Sequence, residues 1–196
     1  MNGITKLVLA GEGGQGVQSV AEIIAEAANE EGKQALYIPS FGVEQRGGVS
    51  LAFVQISDKQ IGSPKFQTGD IVVALSDRAV YRTRQYVGPK TVFVYESSSR
   101  VKDEDLPANA ARVLPIPAIE VAKQELTPRV FNILIMGAVV GATGVISLER
   151  MKEAVERKLG YKFAKQPELR ELNFRALERG MELVRPDQNN RAAGNA

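Results

Sequence analysis

The sequence contains neither cysteine nor histidine, and both absences limit the chemistry that this chain can perform. Without cysteine it can supply no thiolate to an iron–sulfur cluster, no disulfide and no thiol nucleophile. Without histidine it lacks the commonest general base and the commonest zinc ligand of proteins. We therefore predict no catalytic and no metal-binding residue in this chain, so any redox or metal chemistry must come from a partner or a bound organic cofactor.

The chain also lacks a strong bias toward one sign of charge. Its 25 Lys and Arg residues nearly balance its 23 Asp and Glu residues, giving a formal net charge of +2, and the two signs are interspersed. Neither nucleic acid nor a membrane surface is therefore predicted as a partner. The longest apolar run, residues 130–146, is interrupted by Asn132 and Thr143 and is shorter than the roughly 20 residues of a membrane-spanning helix. It predicts a buried helix.

The overall composition is typical of a single soluble domain. Apolar residues make up 44% and charged residues 24% of 196 residues. Met1 leads directly into a strand-like segment without the layout of a signal peptide, so the cytoplasm is the expected compartment. We predict one domain over residues 1–184. The following residues, 185–196, are rich in Asn, Gly and Ala and predict a disordered tail.

Apolar periodicity predicts strands alternating with helices, followed by a helical C-terminal third. A strand at residues 6–10, a helix at 17–31 and a strand at 34–39 predict parallel strands joined by a right-handed crossover. Further strands are predicted at residues 49–56, 70–75, 91–95 and 112–116, with a short edge strand at 60–63. Further helices are predicted at residues 78–86, 118–125, 128–142, 147–158 and 167–184. The predicted fold class is α/β: a three-layer α/β/α Rossmann-like domain with a mainly parallel sheet.

A glycine-rich turn separates the first predicted strand from the first helix and contains Gly11, Gly13, Gly14, Gln15 and Gly16. Glycines let backbone N–H groups approach a ligand, and the N-terminus of the next helix favours a phosphate or carboxylate. The spacing matches the dinucleotide-binding fingerprint, but a nicotinamide site needs an acid at the end of the second strand. That strand ends in Pro39-Ser40. A dedicated ligand loop and a structural turn with an incidental anion site both remain open.

A polar, glycine-containing loop follows the second predicted strand. Its candidate site residues are Ser40, Phe41, Gly42, Glu44, Arg46, Gly47 and Gly48. Ligands bind at the carboxyl ends of strands in open parallel sheets. We expect the first two strands to be adjacent, which would place this loop beside the glycine turn. An aromatic ring, a carboxylate and a guanidinium in one loop favour a ligand or subunit contact over a Glu44–Arg46 surface pair.

Four residues of the C-terminal helices complete the list of candidates. Gly137 and Gly141 lie one turn apart in the apolar helix and predict close packing against the sheet or another subunit. Asn132 and Asn173 lie near apolar helix faces and are secondary site candidates. We expect each asparagine to bond local backbone groups rather than a substrate.

Taken together, these motifs resemble those of a known family. The Gly-x-Gly-Gly-Gln-Gly turn before an Ala-rich helix, the Pro-Ser-Phe-Gly-x-Glu-x-Arg-Gly-Gly loop and the later Ser-Asp-x-x-Ile-x-Ser-Pro segment resemble the gamma subunit of the 2-oxoacid:acceptor oxidoreductases. The resemblance runs over about residues 7–180, and Asn132 and Asn173 fall where family members usually place asparagines. It implies a subunit of a complex that converts a 2-oxoacid to its acyl-CoA and reduces ferredoxin, with the isolated chain inactive.

The resemblance also implies how cofactors and partners are distributed. Thiamine diphosphate and Mg²⁺ would belong to the alpha and beta subunits, and the iron–sulfur clusters to the beta and the ferredoxin-like delta subunits. CoA would be a co-substrate and ferredoxin the electron acceptor. This chain would bind none of the cofactors, would pack over the active-site entrance and would help to admit or hold CoA. The alternatives are a stand-alone Rossmann-like nucleotide-binding oxidoreductase and a purely architectural subunit.

Overall fold

The structure, a computed structural model, describes residues 3–40, 48–98 and 100–184. These residues form an α/β fold, as predicted. The strands are β1 Thr5–Glu12, β2 Gln34–Ser40, β3 Val49–Ser57, β4 Ile71–Ala74, β5 Val92–Glu96 and β6 Arg112–Ile116. The helices are α1 Val17–Glu30, α2 Asp77–Thr83, α3 Ala118–Glu125, α4 Phe131–Thr143, α5 Leu148–Phe163 and α6 Glu168–Val184. The predicted tail and the loop candidates Phe41, Gly42, Glu44, Arg46 and Gly47 lie outside the described residues.

The six strands lie in the order β2-β3-β1-β4-β5-β6. Strands β1, β4, β5 and β6 pair in parallel, whereas β3 pairs antiparallel with both β1 and β2. β1 and β2 therefore run in the same direction, as predicted, but the expectation that they are adjacent is wrong. The connection from Ser40 to Val49 is shorter than the dozen residues that a parallel crossover needs. β3 consequently returns antiparallel beside β2 and fills the place next to β1.

The largest other differences from the predictions concern residues 60–63 and the end of α5. Residues 60–63 form no strand. Instead, the side-chain amide of Gln55 donates to the backbone carbonyl of Ser63 at 2.7 Å, which bonds this segment to β3 without strand pairing. Helix α5 continues past Lys158 to Phe163. Since the Phe163 side chain is buried, the added turn contributes to the core.

Apolar cores lie on both faces of the sheet. Helices α1, α3 and α4 cover one face, and α5 and α6 pack outside them, so the helical C-terminal third lies on this side. The other face carries the short helix α2 over Val8, Val72 and Phe93. Within the described ranges, no helix combines the length and the apolar character that crossing a membrane requires.

Helices α4 and α6 approach each other to backbone contact. A Cβ atom on Gly137 would lie 2.0 Å from the carbonyl oxygen of Leu177, and one on Gly180 would lie 1.8 Å from that of Leu134. Gly141 similarly faces the backbone of Met181. The predicted close packing is present, but the partner is α6 rather than the sheet or another subunit. Gly180 is its reciprocal glycine, which the sequence analysis missed.

Candidate functional site

The glycine turn lies where the strand connections diverge. In the strand order, the connection from β1 leads to β2 at one end of the sheet, whereas the connections from β4 lead to β5 and β6 at the opposite end. In open α/β sheets, ligands bind in the crevice at the carboxyl ends of two such strands. The predicted turn therefore occupies the edge of the sheet where this fold places its sites.

The side chain of Gln15 bridges the two sides of this crevice. Its Oε1 accepts the N–H of Glu12 at 2.6 Å, and its Nε2 donates to the carbonyl of Leu75, directly after β4, at 3.1 Å. A Cβ atom on Gly11 would lie 2.7 Å from this Oε1. Gly11 thus leaves room for the amide, and the amide holds the turn against the end of β4.

We expect Gln15→Ala to lower the free energy of unfolding by about 1–2 kcal/mol, because two partly buried backbone groups lose their partner. Urea denaturation followed by circular dichroism measures this loss. The matched control is Gln85→Ala, since Gln85 is exposed and, among the described residues, its Nε2 donates only to the nearby Arg82 carbonyl. The control should change stability by less than about 0.5 kcal/mol. Equal losses for the two variants would contradict the bridging role.

The turn ends at Gly16, which precedes α1 and supplies no side-chain cap. Gly14 and Gly16 have φ angles of 89° and 78°, in the left-handed region that favours glycine. A Cβ atom on Gly14 would meet nothing within 4 Å, whereas one on Gly16 would lie 2.3 Å from Nδ2 of Asn132. The sequence-predicted asparagine of α4 therefore packs directly on the turn.

A cleft of about 620 Å³ lies beside the turn, between α1, α4, α5 and α6. It brings together Gly16 and the two secondary candidates, Asn132 and Asn173. Oδ1 of Asn132 accepts the N–H of Ile133 at 2.9 Å, and Nδ2 of Asn173 donates to the carbonyl of Leu169 at 2.7 Å. Both asparagines bond local backbone groups, as expected, and both also line the cleft.

The cleft contains residues that the sequence analysis did not select. Arg129, Lys162, Lys165 and Gln166 line it, and they lie far along the chain from the glycine turn. They become neighbours of Gly16 because the ends of α4, α5 and α6 pack close to the start of α1. No local pattern could have identified them, because isolated surface lysines and arginines occur throughout the sequence.

The two described ends of the polar loop lie near the turn. Ser40 pairs with Leu51 of β3, and Glu12 pairs with Val49, the residue after Gly48. The loop therefore begins and ends at the same sheet edge as the turn, although β3 separates β2 from β1. This strand order also argues against a nicotinamide site. The strand beside the glycine turn is β3, and it begins at this sheet edge with the apolar residue Val49. A nicotinamide site would have an acidic residue at this position beside the turn.

A polar network fixes α1 to β2 and β3 near the turn. The hydroxyl of Tyr37 donates to Oε1 of Gln18 at 2.6 Å, and Nε2 of Gln18 donates to the Leu51 carbonyl at 2.9 Å. Burial raises the pKa of the Tyr37 hydroxyl, so the phenol remains a hydrogen-bond donor at neutral pH. The first turn of α1, which borders the cleft, is thereby held in place.

Comparisons with known proteins agree with this architecture. The sequence model of the family described as pyruvate ferredoxin/flavodoxin oxidoreductase matches residues 6–183. The crystal structure of the gamma subunit of a keto/oxoacid ferredoxin oxidoreductase from Geobacter sulfurreducens PCA is similar at a TM-score of 0.77 and 32% identity, over 92% of this chain and 98% of that one.

Two longer proteins contain a similar unit. Ketoisovalerate oxidoreductase subunit VorA of Methanothermobacter thermautotrophicus is 32% identical over 92% of this chain, which spans only 36% of that subunit's length. The 2-oxoglutarate:ferredoxin oxidoreductase from Magnetococcus marinus, solved with 2-oxoglutarate, coenzyme A and succinyl-CoA bound, is similar at a TM-score of 0.83 and 26% identity. This similarity covers 92% of this chain and 31% of that one. Since the family match extends over nearly all the described residues, this chain belongs to the pyruvate ferredoxin/flavodoxin oxidoreductase family.

Proposed function

We propose that this chain is the gamma subunit of a multi-subunit 2-oxoacid:ferredoxin oxidoreductase and is inactive when isolated. The observation that carries the proposal is that the same fold is nearly the whole of the Geobacter gamma subunit but about a third of the VorA subunit. A unit that is separate in one protein and fused in another is expected to act beside the same neighbours in both.

The proposed reaction of the complex is the oxidative decarboxylation of a 2-oxoacid. The bond between the carboxylate and the keto carbon breaks and CO₂ leaves. The acyl carbon forms a bond to the sulfur of CoA, whose thiol proton is released, and two electrons pass to ferredoxin. The Magnetococcus enzyme was solved with 2-oxoglutarate, coenzyme A and succinyl-CoA bound, and these are the substrates and product of such a reaction.

In this proposal the partner subunits carry the cofactors. The alpha and beta subunits would hold thiamine diphosphate and Mg²⁺, and the beta and ferredoxin-like delta subunits would hold the iron–sulfur clusters. The composition of this chain fits that division, because it has no cysteine and no histidine. The cytoplasm is the proposed compartment of the complex.

Within the complex, the glycine turn and the polar loop would face the catalytic subunits and help to admit or hold CoA. The described ends of this loop lie at the sheet edge that also carries the turn, which supports this placement. We expect Phe41→Ala and Arg46→Ala in the assembled complex to raise the apparent KM for CoA about tenfold, equivalent to ~1.4 kcal/mol. If assembly, turnover and KM for CoA all stay unchanged, the placement is wrong.

Co-purification tests the subunit assignment. An affinity-tagged chain expressed in its native cells should bring down stoichiometric partners that contain thiamine diphosphate and iron–sulfur clusters. The purified complex should reduce ferredoxin only when a 2-oxoacid and CoA are both present, and the isolated chain should not. Tight binding of NAD or FAD by the isolated chain, without partners, would instead support the stand-alone nucleotide-binding alternative.

A further inference from the structure

Two glutamines hold the glycine turn from opposite sides. Gln15 donates to the carbonyl of Leu75, directly after β4, at 3.1 Å. Gln18, in the first turn of α1, donates to the carbonyl of Leu51 in β3 at 2.9 Å. Both acceptors lie beside Ala10 of β1, because Leu51 pairs with Ala10 and the N–H of Leu75 donates to the Ala10 carbonyl at 2.9 Å. The segment that follows β1 is therefore tied to both neighbouring strands.

The side-chain amide of Gln18 is fully engaged on its donor side. Its Nε2 donates to Oγ of Ser50 at 2.6 Å as well as to the Leu51 carbonyl, and its Oε1 accepts the hydroxyl of Tyr37 at 2.6 Å. Ser50 pairs with Gly11, the first glycine of the turn. A half-buried polar network with its donors satisfied fixes a geometry as well as adding stability. Gln18 thus fixes where α1 begins relative to β3.

The turn itself has little packing of its own to hold it. A Cβ atom added to Gly13 or Gly14 would meet nothing within 4 Å among the described residues. Gly16 gives the start of α1 no side-chain cap. The position of the backbone groups in the turn therefore depends on the anchors at its two ends, which are Gln15 and Gln18.

We propose that Gln18 is a positioning residue for the contact that the glycine turn makes with CoA. This inference rests on the proposed function, in which the turn faces the catalytic subunits and helps to admit or hold CoA. Gln18 acts through the turn: its bonds to β3 hold the start of α1, and the turn is held with it. Backbone groups that are already in place bind a ligand at a lower entropic cost than groups that must first be ordered.

Kinetics of the assembled complex test this role. Gln18→Met keeps the length of the side chain but removes its three hydrogen bonds, and it should raise the apparent KM for CoA about fivefold with kcat changed less than about twofold. Gln18→Glu keeps the acceptor for Tyr37 and loses both donors to β3, so it should raise this KM as well. Tyr37→Phe keeps both donors and should change the KM less than about twofold.

The matched control is Gln124→Met on α3. Gln124 is exposed, and its Nε2 donates to the side chain of Glu120 on the same helix at 3.1 Å. The control should leave both kcat and the KM for CoA unchanged. Circular dichroism and co-purification of each variant report whether it folds and assembles.

Only a rise in the KM for CoA at an unchanged kcat supports the positioning role. Loss of folding or assembly in both Gln18 variants would show a purely structural role, and an equal effect of Gln124→Met would also reject the proposal. If Phe41→Ala and Arg46→Ala raise the KM for CoA but neither Gln18 variant does, the proposed function stands and the role of Gln18 is rejected. If none of these variants changes that KM, the proposed placement of the turn fails, and the role of Gln18 fails with it.

Discussion

Gly180→Ala is expected to destabilise the protein by about 3 kcal/mol or more, although alanine normally stabilises the interior of a helix relative to glycine. The reason is the contact between α4 and α6. The new Cβ atom would meet the carbonyl of Leu134 and the backbone nitrogen of Ala138, and neither backbone atom can rotate away as a side chain could. The two helices would have to separate, and the buried side chains between them would lose contacts.

Thermal and urea unfolding measure this effect. A loss of about 3 kcal/mol corresponds to a fall in Tm of about 6–12 °C for a chain of this size. Gly160→Ala on α5 is the matched control, because the nearest atom to its added Cβ lies 3.9 Å away. The control should stabilise the protein by about 0.5–1 kcal/mol. Effects of the same sign in both variants would contradict the close approach of α4 to α6.

Gly16→Ala is the second large effect, with an expected loss of about 2–3 kcal/mol. Part of the loss comes from the positive φ angle, which costs an L-residue about 1–2 kcal/mol. The remainder comes from the contact of the new Cβ atom with Nδ2 of Asn132. Gly14→Ala separates the two parts, since Gly14 also has a positive φ angle but no neighbour within 4 Å, so only the first part should appear.

A double-mutant cycle with Asn132→Ala tests the contact directly. Removing the asparagine amide makes room for the methyl group, so Gly16→Ala/Asn132→Ala should lose less stability than the sum of the single variants. We expect a coupling of about 1 kcal/mol or more, measured by urea denaturation of the four proteins. Additivity within about 0.5 kcal/mol would show that Asn132 does not pack on the turn.

The edges of several elements were predictable because local chemistry sets them. Helix α3 and strand β6 have the predicted bounds. Pro117 separates them, since β6 ends at Ile116 and α3 begins at Ala118. The buried strands followed from continuous apolar runs. The predicted edge strand at residues 60–63 failed, because strand propensity does not show whether a pairing partner is available; the Gln55 side chain bonds this segment instead.

The order of the strands was not predictable from the same patterns. A β–α–β unit predicts the direction of its two strands, and that direction is right. It does not show that a third strand will be inserted between them. β3 lies there because it can pair on both sides, with β1 and β2, and bury apolar residues against α1.

By itself, the sequence determined the class of the fold, the position of the glycine turn and the family resemblance, because each depends on residues that are close together in the chain. It also excluded thiolate and imidazole chemistry, since those residues are absent. The tertiary structure decided the partner of Gly137, the strand beside the glycine turn and the cleft where Gly16 meets Asn132, Asn173 and three cations. The hydrophobic periodicity of a helix or strand indicates which of its faces is buried. Tertiary packing alone determines which distant elements cover that face.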